Sequence, residues 1–92
     1  MYEVKPTSRF KKDLRTIAGS GRDISPMSHA VELLVQGIAL PARYRDHDLK
    51  GEWLGHRECH IAPDWLLIYK KHEDILVLTL TRTGTHSDLF KK

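Results

Sequence analysis

Three β-rich runs fill the second half of the chain, and the links between them leave the backbone little choice. The runs are Trp53–Ile61, Trp65–Lys70 and Ile75–Thr81, separated by Pro63-Asp64 and by Lys71-His72-Glu73-Asp74. Links this short join antiparallel neighbours, because a parallel crossover needs roughly a dozen residues or more. The first half changes period. Tyr2–Lys5 alternates weakly, as a short strand does. Pro6-Thr7-Ser8 then supplies helix-start chemistry ahead of Phe10, Leu14 and Ile17, spaced i, i+4, i+7, with Arg9, Lys11, Lys12 and Arg15 on the other side. Gly19-Ser20-Gly21 ends that helix. Ser25-Pro26 reads as an N-cap followed by a first-turn proline. Behind it Met27, Val31, Leu34, Val35 and Ile38 form an apolar stripe that Pro41 terminates. Arg43–Lys50 is charged and without period, a loop. The expected fold is α+β in the order β-α-α-β-β-β, a helical hairpin packed on one face of a small, mostly antiparallel sheet.

Ninety-two residues allow one core, so residues 1–92 read as a single domain. Fifteen basic against twelve acidic residues leave a net charge of +3, an excess that permits a nucleic-acid partner without demanding one. The single cysteine, Cys59, rules out an intramolecular disulfide. No signal-peptide pattern is present, and no apolar run approaches the roughly 18 residues of a membrane span. The expectation is a cytoplasmic protein with no membrane contact.

The chemistry concentrates in the second half. His47, His56, His60 and His86 stand there with Asp64 and Phe90. Histidine both accepts and donates a proton near neutral pH. Alternation along Trp53–Ile61 puts Arg57, Cys59 and Ile61 on one face and His56, Glu58 and His60 on the other. Cys59 and Ile61 suit the core, which turns His60 toward the open face of the sheet, with Asp64 able to fold back toward it. Arg82 and His86 lie beyond the third strand on a flexible tail. A metal site is disfavoured, because four residues of strand separate His56 from His60 by roughly 13 Å, far beyond ligands at about 2 Å from one ion. His29 and His72 read as solvated surface, and His56 stays undecided between filler and substrate contact. Arg43, Arg45, Lys50 and Arg57, interrupted by Tyr44 and Trp53, suit phosphates and bases as well as an ordinary charged surface.

Three blocks carry a resemblance. Tyr44-Arg45-Asp46-His47-Asp48-Leu49-Lys50-Gly51-Glu52-Trp53 resembles the loop-to-strand segment of the RelE-like bacterial toxins of the YafQ subfamily. Arg57-Glu58-Cys59-His60-Ile61-Ala62-Pro63-Asp64-Trp65-Leu66-Leu67-Ile68-Tyr69-Lys70 and Arg82-Thr83-Gly84-Thr85-His86-Ser87-Asp88-Leu89-Phe90 match the same subfamily, in order and spacing. Together they cover about a third of the chain, and the N-terminal half agrees more in its helical hairpin than in its residues. The resemblance implies the compact RelE-like ribonuclease fold and a type II toxin that cleaves mRNA on the ribosome without a cofactor or metal. It also implies a cognate antitoxin that neutralises the toxin in a hetero-oligomeric complex. It carries function to His47, His60, Asp64, His86 and Phe90, and less firmly to Arg82 and Trp65. Relatives commonly differ at His56, so no role is carried there. RelE relatives with Arg, Lys and Tyr at the active site differ from this histidine-rich version.

The reaction implied is attack of the RNA 2′-hydroxyl on the adjacent phosphorus, which needs a base, an acid and cations for the developing charge. Asp64 or His60 stands on the base side and His86 is the acid, with His47 and Arg82 bracing the phosphate. Asp64 alternatively orients His60. Phe90 stacks on a base, and Arg45 and Lys50 contact RNA. The competing reading is a catalytically inactive ribosome- or antitoxin-binding module of the same fold.

Overall fold

The computed structural model describes residues 1–90. In chain order the elements are β1 (Glu3–Pro6), α1 (Ser8–Gly19), α2 (Ser25–Val35), β2 (His47–Asp48), β3 (Arg57–Ala62), β4 (Trp65–His72), β5 (Val77–Gly84) and α3 (His86–Phe90), with single 3₁₀ turns at Ala42–Tyr44 and Gly51–Trp53. The five strands lie in the order β1-β5-β4-β3-β2. All pairs are antiparallel except β1 with β5, which run parallel from Glu3↔Val77 to Pro6↔Leu80.

The unbroken apolar run Trp65-Leu66-Leu67-Ile68-Tyr69 explains why β4 is the central strand. All five residues are buried, as a strand covered on both faces requires. Trp65, Leu67 and Tyr69 face the helices and pack with Phe10, Met27 and Leu34. Leu66 and Ile68 point to the other face and meet Leu89, with Leu49, Trp53 and Phe90 around them. Each such side chain contributes about 1.5–3 kcal/mol by leaving water. The second face is therefore closed by a small apolar cluster rather than open, as alternation alone suggested.

Helix starts are set by local chemistry. Thr7 caps α1, its hydroxyl oxygen accepting the Phe10 N–H at 2.9 Å while its own proton goes to the Thr81 carbonyl at 2.8 Å. At α2 the residue outside the helix is Ile24, and Ser25 is the first helical residue; Asp23 accepts the Ser25 N–H and hydroxyl instead. Ser25 is thus not the cap that its place before proline suggests. The helix also stops at Val35, six residues before Pro41, because Gly37 takes a left-handed φ of 76°. Ile38, expected in the apolar stripe, is half exposed as a result.

Several boundaries differ from the expectation in the second half, and β4 itself runs on through Lys71 and His72, which were expected in the link. The stretch read as a loop contains the two-residue strand β2, paired His47↔Glu58 and Asp48↔Arg57. The first long run becomes a strand only at Arg57, since Trp53 belongs to a 3₁₀ turn. β5 begins at Val77, after Leu76 with φ 53°, and continues past a bulge at Thr81 to Gly84. The tail beyond it is the helix α3 rather than a flexible end.

Candidate active site

Register brings the histidines together. β2 lies against β3 so that His47 is opposite Glu58, and His60 follows two residues on along the same face. Glu58 Oε1 lies 3.5 Å from His47 Nε2 and 3.6 Å from His60 Nε2. Glu58 is buried, and its carboxylate sits between two imidazoles. Arg45, at φ 50°, turns its carbonyl onto His47 Nδ1 at 2.7 Å. That bond assigns the Nδ1 proton to the carbonyl and leaves Nε2 for Glu58 or a substrate.

His86 arrives from the other side. Asp13 of α1 grips the end of β5: one oxygen accepts from Arg82 Nε at 2.8 Å and from the Thr83 N–H at 3.2 Å, and the other accepts Arg82 Nη2 at 3.0 Å. Thr83 Oγ1 in turn donates to the Leu66 carbonyl and accepts from Trp65 Nε1. Then comes Gly84, where an added Cβ would stand 3.0 Å from Asp88. The close approach lets Thr85 and Asp88 satisfy each other, N–H to carboxylate at 3.0 Å and N–H to hydroxyl at 3.1 Å, a reciprocal cap that starts α3. His86 then meets Asp64 in the β3–β4 turn. Asp64 Oδ1 accepts the His86 N–H at 3.1 Å and Nδ1–H at 2.9 Å. The His86 side-chain bond, then its backbone bond, holds the Asp64 carboxyl below its ordinary range, and Arg22 adds charge.

The result is a row of four rings. Centroids run 6.5 Å from His47 to His60, 5.8 Å from His60 to His86 and 6.4 Å from His86 to Phe90. One ligand atom each from Glu58, His60 and His86 lie within 4.8 Å of one another. Histidine nitrogens and a carboxylate at that spacing are a donor set that fits a divalent transition-metal ion. The His56–His60 spacing did not probe this set, because its third member comes from α3.

Of the residues singled out from sequence, His47, His60, Asp64, His86 and Phe90 converge. Asp64 does so against His86, not His60 as expected. Arg45 contributes its carbonyl to the site and also lines a neighbouring cleft with His60. Lys50 is exposed beside the Gly51–Trp53 turn, outside the ring row. Arg82 is bound to Asp13, which raises its pKa; its side chain is only 14% exposed, so it braces the fold where a phosphate contact was expected. Arg57 is engaged by Asp46 and Asp48, and Asp46 also accepts the Tyr69 hydroxyl. Tyr44 is core. His56 packs edge-on against Trp53, and His72 faces Thr79. Burial pushes the Cys59 thiol up to about 12, which removes it as a nucleophile.

Two residues escaped the sequence reading. Glu58 shares the His60 face by simple alternation, a signal that was present and passed over. Arg22 lies with its guanidinium 4.6 Å from the Trp65 ring centroid, near Asp64. Nothing in the α1–α2 turn announced that contact.

A helical pair on one face of a mixed sheet, with a row of three histidines and a phenylalanine on the other, defines a compact α+β protein. Known proteins share its fold. Residues 2–91 match the family described as bacterial toxin of type II toxin-antitoxin system, YafQ. The mRNA interferase toxin YafQ of Escherichia coli K12 is 36% identical over 89 residues, 96% of this chain and 95% of the relative. Among solved structures, the E. coli DinJ–YafQ complex superposes with a TM-score of 0.89 at 35% identity, covering 98% of this chain and 99% of that one. A metal-bound toxin from Helicobacter pylori superposes at 0.92 with 37% identity, covering 98% and 100%. The chain belongs to the YafQ family of bacterial type II toxin–antitoxin toxins.

Proposed function

We propose that this chain is an mRNA endoribonuclease acting on the ribosome in the cytoplasm, with His47, Glu58, His60, Asp64 and His86 as its working groups. The observation that carries the reading is the two-sided geometry of the row. Glu58 and His60 present a proton acceptor on one side, and Asp64 and His86 present an oriented imidazole on the other, with ring centroids 5.8 Å apart. The attacking 2′-oxygen forms a bond to phosphorus while its proton passes to the Glu58–His60 side. The bond from phosphorus to the 5′-oxygen breaks, and His86 supplies the proton that leaving oxygen takes up. The products are a 2′,3′-cyclic phosphate and a 5′-hydroxyl. His47 lends positive charge when protonated, and Phe90, next in the row, offers a face to a base. Arg22, whose charge acts on Asp64, takes the phosphate-bracing part expected of Arg82.

The name of the E. coli relative, an mRNA interferase, supports this substrate class. That relative is seen bound to DinJ, which supports an antitoxin for this chain as well. The exposed Lys11, Lys12 and Arg15 of α1 suit an acidic segment that folds on docking. A metal held at Glu58, His60 and His86 would occupy the lone pairs that proton transfer needs.

His86→Ala tests the reading. The expected result is a folded protein that neither arrests growth nor cleaves mRNA, while the parent does both. A folded, fully toxic variant would overturn the acid role, and absence of cleavage by the parent would favour the inactive binding module.

A further inference from the structure

A cleft of about 760 Å³ opens beside the ring row, between the first turn of α2, the 43–45 segment and the β3–β4 turn. His60 lines it, so it is continuous with the site; Asp64 and His86 do not. It therefore leads away from the His60 side, past Arg45, whose carbonyl holds His47.

Its walls differ in chemistry. Pro26, Ile61, Ala62 and Pro63 give it flat apolar surface. Arg43 and Arg45 stand on one side, and among the described residues neither forms an ion pair. The Arg43 guanidinium is held 4.8 Å from the centroid of the Tyr44 ring, and it donates to the Tyr44 hydroxyl at 3.3 Å. Asp23 lines the same cleft. Its Oδ1 accepts both Ser25 bonds, which leaves Oδ2 to accept from a ligand. Those bonds keep its carboxyl below the ordinary range, and so ionised. Apolar surface for a planar ring to lie on, with an anionic acceptor and guanidinium donors on the same lining, suits recognition of an unstacked nucleobase.

We infer that this cleft receives the nucleobase of the nucleotide carrying the attacking 2′-hydroxyl, and that Asp23 and Arg43 read its edge. The inference rests on the ribonuclease reading above, in which the His60 side handles that hydroxyl. It assigns a base preference to the position 5′ of the cut. His29, also on the lining, then sits within reach of RNA rather than on idle surface.

The test uses Asp23→Asn and Arg43→Ala. Asparagine keeps an oxygen for the Ser25 cap but exchanges one acceptor for a donor, and Arg43 is exposed, so thermal melts should match the parent. Cleavage efficiencies are measured on ribosome-bound mRNAs varied singly at the nucleotides 5′ and 3′ of the cut. Either variant should change the preference at the 5′ nucleotide by about tenfold, as loss of one edge contact implies. In parallel, an uncleavable 2′-O-methyl tetraribonucleotide is titrated into the protein and followed by amide NMR. Shifts in Asp23–His29 and Ala62 are expected. Unchanged preference in both variants, a change confined to the 3′ nucleotide, or silent cleft amides would overturn the inference. If the parent does not cleave at all, the ribonuclease reading fails by itself, and the oligonucleotide titration still decides the cleft.

Discussion

His86 is tied to Asp64 twice, through its backbone N–H and its Nδ1, and both bonds end on the same carboxylate oxygen. One bond places the start of α3 and the other sets the ring. A carboxylate that takes the Nδ1 proton leaves Nε2 as the nitrogen that faces chemistry. Position and tautomer of the proposed acid therefore depend on a single side chain in a turn nearly as far from it in sequence as β3 is from α2.

That dependence has a pH signature. Asp64's carboxyl titrates in the folded protein below its ordinary 3.8. A lowered folded pKa contributes stability above 3.8 that is lost as pH falls through the folded value. The side-chain carboxyl resonance of Asp64 should therefore still sit at its ionised position at pH 3.8, where an ordinary carboxyl is half protonated, and move only below that. Asp64→Asn should abolish that low-pH transition and cut cleavage by about 10²-fold. An Asp64 carboxyl signal with its midpoint at 3.8 or above would contradict the linkage.

Glu58 is the residue that the geometry adds to the site. Replacing it with glutamine keeps the shape between His47 and His60, removes the negative charge and exchanges one acceptor for a donor. Cleavage should fall by about 10²–10⁴-fold, the range for loss of a positioned acid–base group, with little change in Tm. Single-turnover rates within threefold of the parent would leave Glu58 a structural residue.

Asp13 and Arg82 couple α1 to the end of β5, and neither side chain is more than 14% exposed. Removing one partner strands the other in a half-dry pocket. Asp13→Ala should lower the unfolding free energy by about 2–3 kcal/mol in urea titrations. Because Asp13 also accepts the Thr83 N–H, α3 should loosen with it, read as faster amide exchange at Leu89. A variant as stable as the parent would place the ion pair among those that contribute nothing.

Zinc offers a separate check on the donor set formed by Glu58, His60 and His86. Added in slight excess it should inhibit cleavage, and EDTA should restore the original rate without depleting it further. Glu58→Ala or His60→Ala should weaken zinc binding measured by calorimetry. Stimulation by zinc would reverse the assignment of those nitrogens to proton transfer.

What the sequence discloses and what it withholds divide along physical lines. The Trp65–Tyr69 run, the Phe10-Leu14-Ile17 spacing and the short links are local or periodic signals, so strands, helices and hairpins are readable from them. Boundaries go astray where one residue's backbone decides, as at Gly37, whose left-handed turn ends α2 early, and Leu76, which delays β5. The convergence of His47, His60 and His86 rests on resemblance to known toxins, since spacing alone does not bring α3 beside β3. Arg82 shows the limit of that resemblance. It sits inside a matching motif, yet its guanidinium goes to Asp13, a partner 69 positions away that no local pattern reveals. Arg22 and the cleft beyond His60 are likewise products of tertiary packing between distant segments.

The five residues of α3 are too few to hold a helix by propensity, so its place depends on the Thr85–Asp88 cap, the Asp64 bonds and the buried side chain of Leu89. Such a segment opens locally at a cost far below that of unfolding the sheet. The proposed proton donor thus rides on the part of the molecule that is easiest to displace. A toxin that belongs with an antitoxin gains from that arrangement: prising away one short turn would disarm it, and letting the turn close again would rearm it, with the hydrophobic core undisturbed throughout.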